Sequence, residues 1–231
     1  MKEKSNALRA AFPHTIPVMM GYLFLGFAFG VLLQSKGYHF GWAILMSLFI
    51  YAGSMQFVAI NFFAGGISIL SIILMTFMVN IRHFFYGLAM LTKFKDTGRK
   101  KPYLVFSLTD ETFSLLCSAE APQGVSKGWF LFFISLLDQI YWVAGSALGG
   151  LLGSVLPFST KGIDFAMTAL FVVIFVEQWK SSKNHIPALT GLVGSSLCLL
   201  IFGVSNFILP SMIVIVLIMT VFRKNLEEDK Q

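Results

Sequence analysis

Charge is what this sequence has least of. Asp, Glu, Lys and Arg make up 12% of its 231 residues, where a soluble domain carries roughly 25%. With 56% apolar residues and a mean hydropathy of +0.78, the composition excludes a soluble globular domain and predicts an integral membrane protein. The surplus of Lys and Arg, +6 in net charge, forms no basic stripe with interleaved aromatics, so nucleic acid is not an expected partner. Cysteine is limited to Cys117 and Cys198, both in apolar surroundings without metal-ligand spacing, which argues against a disulfide framework or a zinc cluster. HExxH, GxSxG and GxxxxGK[ST] are missing, so nothing assembles a metalloenzyme, a hydrolase or an ATPase. The chain is expected to be no enzyme and to need no cofactor or metal.

What is present is a series of hydrophobic runs: 13–33, 41–63, 67–91, 103–119, 129–152, 163–178, 187–203 and 207–222. In lipid these must be helical, because open sheet edges cannot face hydrocarbon. The expected fold is therefore an all-α membrane protein of about eight helical segments in one domain, residues 1–231. Pro13, Pro17, Pro102 and Pro187 are read as lying in or just before first turns. Trp42, Trp129 and Trp179 suit interfacial levels, with Trp142 an exception in mid-segment. Lys2, Lys4 and Arg9 before an apolar stretch resemble a signal peptide in outline, but Ile16 to Leu33 is long and has no clear cleavage site, so it reads as a retained first segment.

Eight full crossings with a cytoplasmic N-terminus put 9 Lys/Arg inside and 7 outside, a poor bias for the positive-inside rule. If 41–63 and 103–119 each enter and leave on one side, the division becomes 14 against 2, Lys36 and Lys161 being the exceptions. These are also the runs interrupted by Ala52-Gly53-Ser54-Met55-Gln56 and by Thr109-Asp110-Glu111-Thr112, which suits re-entrant or broken helices. The alternative is an inverted pair of three-segment units. A thin echo supports it: Gly41-Trp42 leads to Ala52-Gly53-Ser54, and Gly128-Trp129 to Ala144-Gly145-Ser146. Either arrangement leaves residues 1–12 and 223–231 on the cytoplasmic side.

Few polar groups lie inside the runs. Asn80-Ile81-Arg82-His83 places a fixed charge and an imidazole about one turn from the middle of 67–91, where an arginine normally faces a protein interior or a water-filled path. Asn80 and His83 share one helix face, Arg82 and Tyr86 another. Arg82 serves either a structural ion pair or a binding site. His83 is either a neutral hydrogen-bonded ring or a proton-coupling group. Asp110 and Glu111 are the obvious counter-charges, unless their segment hugs the interface and both are solvated. Asp138, about ten residues into its run, must be paired, protonated or functional. Asp164, Glu177 and His185 lie at segment ends and suit interfacial solvation. Gly26 with Gly30 and Gly145 with Gly149 form small-xxx-small pairs for close helix contact. Gly53, Ser54 and Gln56 suit an unwound backbone whose half-helix N-terminus would bind a carboxylate.

Three stretches in order, Ala52-Gly53-Ser54-Met55-Gln56-Phe57, Asn80-Ile81-Arg82-His83 with Tyr86-Gly87, and Leu108-Thr109-Asp110-Glu111-Thr112-Phe113, resemble the AzlC family of branched-chain amino acid permeases. The likeness runs from about Phe12 to past residue 200. It implies export of branched-chain amino acids across the cytoplasmic membrane with a small hydrophobic partner of the AzlD type. Without an ATPase motif, transport would draw on an ion gradient or on the substrate's own. The residues suit such a substrate: Gly53 and Ser54 backbone donors or Arg82 would take the carboxylate, and Asp110, Glu111 or Asp138 the ammonium group. The alternative is a non-transporting scaffold for the partner, or an exporter of a different small solute.

Overall fold

The computed structural model describes residues 2–63, 67–155, 172, 175–176, 179–180, 184–203 and 207–221. The expected segment 163–178, with Asp164 and Glu177, falls almost wholly outside the described residues, as do Lys161 and the tail 223–231. The helices are α1 (Lys2–Ser35), α2 (Phe40–Phe49), α3 (Gly53–Phe62), α4 (Ile69–Ala89), α5 (Lys101–Phe106), α6 (Asp110–Ser118), α7 (Lys127–Val155), α8 (Ile186–Phe202) and α9 (Ile208–Val221). Among the described residues α1, α4 and α7 are long and apolar enough to cross a bilayer. The chain divides into two compact units, Met1–Met167 and Thr168–Gln231.

In the first unit α1 and α7 run parallel, joined by the glycines marked in the sequence. A β-carbon on Gly26 would sit 2.8 Å from the Trp142 carbonyl oxygen, and one on Gly145 would sit 2.7 Å from that of Leu23. Only glycine lets the two backbones approach this closely. Pro13 and Pro17 do not open the first segment as expected; both lie inside α1. The helix begins earlier because Lys2–Phe12 has its own packing surface: Ala7 and Ala11 are fully buried, and the Lys4 ammonium lies 4.5 Å from the centre of the Trp129 ring.

Both interrupted runs are broken helices, and each returns to the end it came from. The α2–α3 hairpin starts at Phe40, packed against Gly150, and finishes at Phe63, whose ring centre is 4.9 Å from that of Tyr38, just after α1. The α5–α6 hairpin opens from the other end of the unit. Lys100 lies 4.2 Å from the Trp129 ring that Lys4 also covers, and Lys93 donates to the carbonyls of Cys117 and Ala119, at 3.1 and 2.8 Å, where α6 finishes. Lys4, Lys93 and Lys100 thus share one end while Lys36 follows α1 at the other. That is the arrangement with the strong charge bias. The stretch from Gly128 to Ser146 lies in unbroken helix α7, so the opposed counterpart of α2–α3 is α5–α6. The inverted unit is one spanning helix with one broken hairpin, α1 with α2–α3 and α4 with α5–α6.

Local chemistry sets each break. Tyr51 follows α2 with φ at 43°, a left-handed turn unusual for a residue with a β-carbon. The Ile50 and Tyr51 amides both bond to the Met46 carbonyl. Ser107 ends α5, and Thr109 caps α6 by accepting from the Thr112 amide at 3.2 Å. The second unit pairs α8 with α9, Gly194 facing Val214 and Ile215.

Two outcomes follow from this packing. Cysteines placed by Lys36→Cys and Lys100→Cys should react with an impermeant thiol reagent from opposite membrane faces; labelling from one face would rule out paired re-entry. Gly145→Leu should cost about 3 kcal/mol through overpacking and sharply lower the yield of folded protein in detergent, measured by size-exclusion profile.

Candidate functional site

The tips of the two hairpins meet near the middle of the first unit. From α6 come three consecutive residues. On a helix they point about 100° apart, and here they reach three different spanning helices. Asp110 pairs with Arg82 of α4, Oδ2 to Nη1 at 2.7 Å, and also accepts from the Tyr86 hydroxyl at 2.5 Å. Glu111 accepts from the Tyr22 hydroxyl of α1 at 2.9 Å. Thr112 donates to Asp138 of α7 at 2.8 Å. Asp110 and Glu111 occupy the first turn of α6, where the helix dipole favours negative charge.

Arg82 also donates through Nη2 to Ser54 at the start of α3, so one guanidinium bridges both hairpin tips. Its Nε has no hydrogen-bond partner among the described residues. The side chains of Arg82 and Asp110 are 29% and 20% exposed, so this ion pair is reachable, whereas Asp138 is 0% exposed. The α3 N-terminus carries no side-chain cap, leaving its first amides near Arg82 as donors for an anion. Gly53 sits tightly there: a β-carbon would lie 3.0 Å from the Trp142 ring, which would have to give by a few tenths of an ångström.

Of the residues marked in the sequence, Gly53, Ser54, Arg82 and Asp110 come together around one point. Glu111 adjoins them through Tyr22, which also bonds to Thr109. Asp138 lies behind Thr112. Arg82 and Tyr86, placed on one helix face by their spacing, do converge on Asp110. Gln56 is committed elsewhere: its carbonyl accepts from Trp142 Nε1 at 2.9 Å and its amide donates to Ser47 at 3.2 Å. Ser47 donates to Ser146 at 2.9 Å, and Ser146 to the Trp142 carbonyl at 2.8 Å. This relay locks α2 and α3 to α7 and explains a tryptophan in mid-segment. Asn80 instead lines an apolar groove with Phe77, Ile81 and Phe84, its Oδ1 buried without a hydrogen-bond partner among the described residues. His83 meets Tyr86 edge-on, ring centres 5.9 Å apart.

Three residues with defined roles escaped the sequence reading: Tyr22, Tyr103 and Gln139. Tyr103 donates to Gln139 Oε1 at 2.7 Å, and Gln139 Nε2 donates to the Leu48 carbonyl at 3.1 Å, tying the two hairpins to α7. The available signal was a tyrosine or glutamine inside an apolar run, where a polar end needs a partner.

The sequence model of the family described as AzlC protein matches residues 17–156. The chain belongs to the AzlC family. The matched region takes in both broken hairpins, α4 and all of α7. The chain is 51% identical over 222 residues to the branched-chain amino acid transport protein AzlC of Bacillus subtilis (strain 168), covering 96% of this chain and 87% of that relative. It is 45% identical to an uncharacterized membrane protein of Helicobacter pylori (strain ATCC 700392 / 26695), covering 98% of this chain and 100% of the relative. More distantly, it is 26% identical to the inner membrane protein YgaZ of Escherichia coli (strain K12), covering 85% and 80%. This AzlC-family chain matches no solved structure. It is a multi-pass membrane protein.

Arg82→Gln strands Asp110 without its cation, and should lower stability in detergent by about 2 kcal/mol or more. Arg82→Gln with Asp110→Asn should recover most of the lost melting temperature, because neither partner is left charged and unpaired. A double variant no more stable than the single one would show that the pair is not coupled.

Proposed function

We propose that this chain carries branched-chain amino acids out of the cell across the cytoplasmic membrane, working with a small hydrophobic membrane subunit of the AzlD kind. The observation that carries this reading is the Arg82–Asp110 pair, set where the N-termini of two half-helices begin. A zwitterion needs an anion receptor and a cation receptor a few ångströms apart, and the pair supplies both. The substrate carboxylate takes Arg82 and the open amides of Gly53 and Ser54. The ammonium group takes Asp110, with Glu111 beside it. Before substrate arrives the two protein charges satisfy each other, which lowers the cost of holding them in an apolar setting. Phe113, stacked on Tyr86 with ring centres 4.4 Å apart, offers an apolar wall for a branched side chain.

The substrate class draws support from the name of the Bacillus subtilis relative, a branched-chain amino acid transport protein. The lysine-rich end of the first unit is assigned to the cytoplasm by the positive-inside rule. Export rather than uptake, and the small subunit, rest on the family resemblance.

The test is efflux of preloaded valine, leucine and isoleucine from cells lacking their own exporters, with this chain expressed alone and beside a candidate small subunit. Faster efflux with both, abolished by Arg82→Gln in protein that still reaches the membrane, is the expected outcome. Absence of flux in both settings would favour a non-transporting scaffold, and normal efflux from Arg82→Gln would remove that residue from the mechanism.

A further inference from the structure

Asp138 is left over from the substrate site. It is fully buried in α7, it accepts one hydrogen bond from Thr112 through Oδ2, and its Oδ1 has no hydrogen-bond partner among the described residues. No cation pairs with it among the described residues; Arg82 is held by Asp110. Tyr22 of α1, Tyr51 of the first break, Tyr103 of α5 and Glu111 of α6 lie near enough to act on it electrostatically. All are hydroxyls or acids. The Tyr51 hydroxyl lies beside Thr112 but outside hydrogen-bonding geometry, so the tips of both hairpins close over this carboxyl group. Intramembrane carboxyl groups without a permanent counter-charge are the groups that relay protons in carriers.

The geometry points to Asp138 as the proton-binding site of a proton-coupled exchanger, loaded and unloaded as the two hairpin tips part over it. This rests on the amino acid transport reading above. Thr112 is two residues from Asp110 in the same helical turn, so any shift of α6 on substrate binding moves the Thr112 hydroxyl on Asp138. Substrate at Arg82 and a proton on Oδ1 then occupy the protein alternately. A proton enters from one side on Oδ1 as the amino acid leaves on that side. It departs to the other side when the next amino acid binds there, so one proton crosses against each substrate and Asp138 returns to its starting state.

The experiment uses proteoliposomes holding the full chain and a candidate small subunit, with a pH dye trapped inside. Wild-type protein should exchange labelled for unlabelled leucine, and a leucine gradient should change the internal pH. Asp138→Asn, fixed in the uncharged form that the proton-loaded site takes, should lose both the exchange and the leucine-driven pH change; Asp138→Glu should keep both. As a second variant, Thr112→Val should shift the pH at which leucine-driven proton movement is half-maximal. Proton movement or exchange that survives in Asp138→Asn would overturn the proposal, as would an unshifted profile in Thr112→Val. Wild-type exchange without any pH change would overturn it too, leaving the transport reading intact. No exchange in the wild type would instead defeat the transport reading itself.

Discussion

The first turn of α6 holds the first unit together across its middle. Asp110, Glu111 and Thr112 are consecutive, yet they bind α4, α1 and α7 respectively. Three short polar side chains on one turn leave in three directions, which a membrane helix can do only where it is surrounded by protein. The break at Ser107 to Thr109 is what brings that turn to mid-depth with its N-terminus free to receive carboxylates. Were the run 103–119 a continuous crossing helix, its acidic pair would have no dipole end to meet.

Backbone breaks inside a bilayer release carbonyls and amides that water cannot satisfy. Here α7 takes up one such carbonyl and pins the side chains beside the first break. Gln139 bonds to the Leu48 carbonyl near the end of α2, while Trp142 and Ser146 hold Gln56 and Ser47. The α3 amides at Gly53 and Ser54 are treated differently: they have no side-chain cap and face a guanidinium that still has a donor to spare. The relay through Gln56, Trp142, Ser47 and Ser146 thus fixes the α2–α3 break on α7, whereas Arg82 keeps a spare donor on the side with measurable exposure. A carrier needs that division, since the scaffold must stay fixed while the site exchanges partners.

Much of this was legible in the sequence. Arg82 announced itself by its cost, and Asp110 with Glu111 as its obvious counter-charges; that Asp110 is the one paired is a result of the packing. The interruptions at Gly53-Ser54 and Thr109-Asp110, combined with the distribution of Lys and Arg, made hairpins one of two readings beside eight full crossings, and the packing of the hairpin ends decides for hairpins. Gly26, Gly30, Gly145 and Gly149 showed their spacing but not their pairing; which helix a glycine face meets is decided by tertiary packing. Gln56 was misleading for a related reason. A glutamine near a break suits substrate binding and suits locking the break equally well, and only the position of Trp142 decides for locking. The start of α1 was hidden because proline in a helix's first turn is common, whereas Pro13 and Pro17 are tolerated inside the helix, where buried Ala7 and Ala11 hold the preceding turns.

The central claim is that one reachable ion pair recognises both ends of an amino acid. Ligand-induced stabilisation of the purified protein reads this directly, because binding to the folded state alone raises its melting temperature. Leucine should raise the melting temperature of the wild-type chain, while 4-methylpentanoate and 3-methylbutylamine, which keep the branched side chain but only one charged end each, should not. Equal stabilisation by either half-ligand would contradict the account, for it would mean that Arg82 and Asp110 do not act together on the substrate.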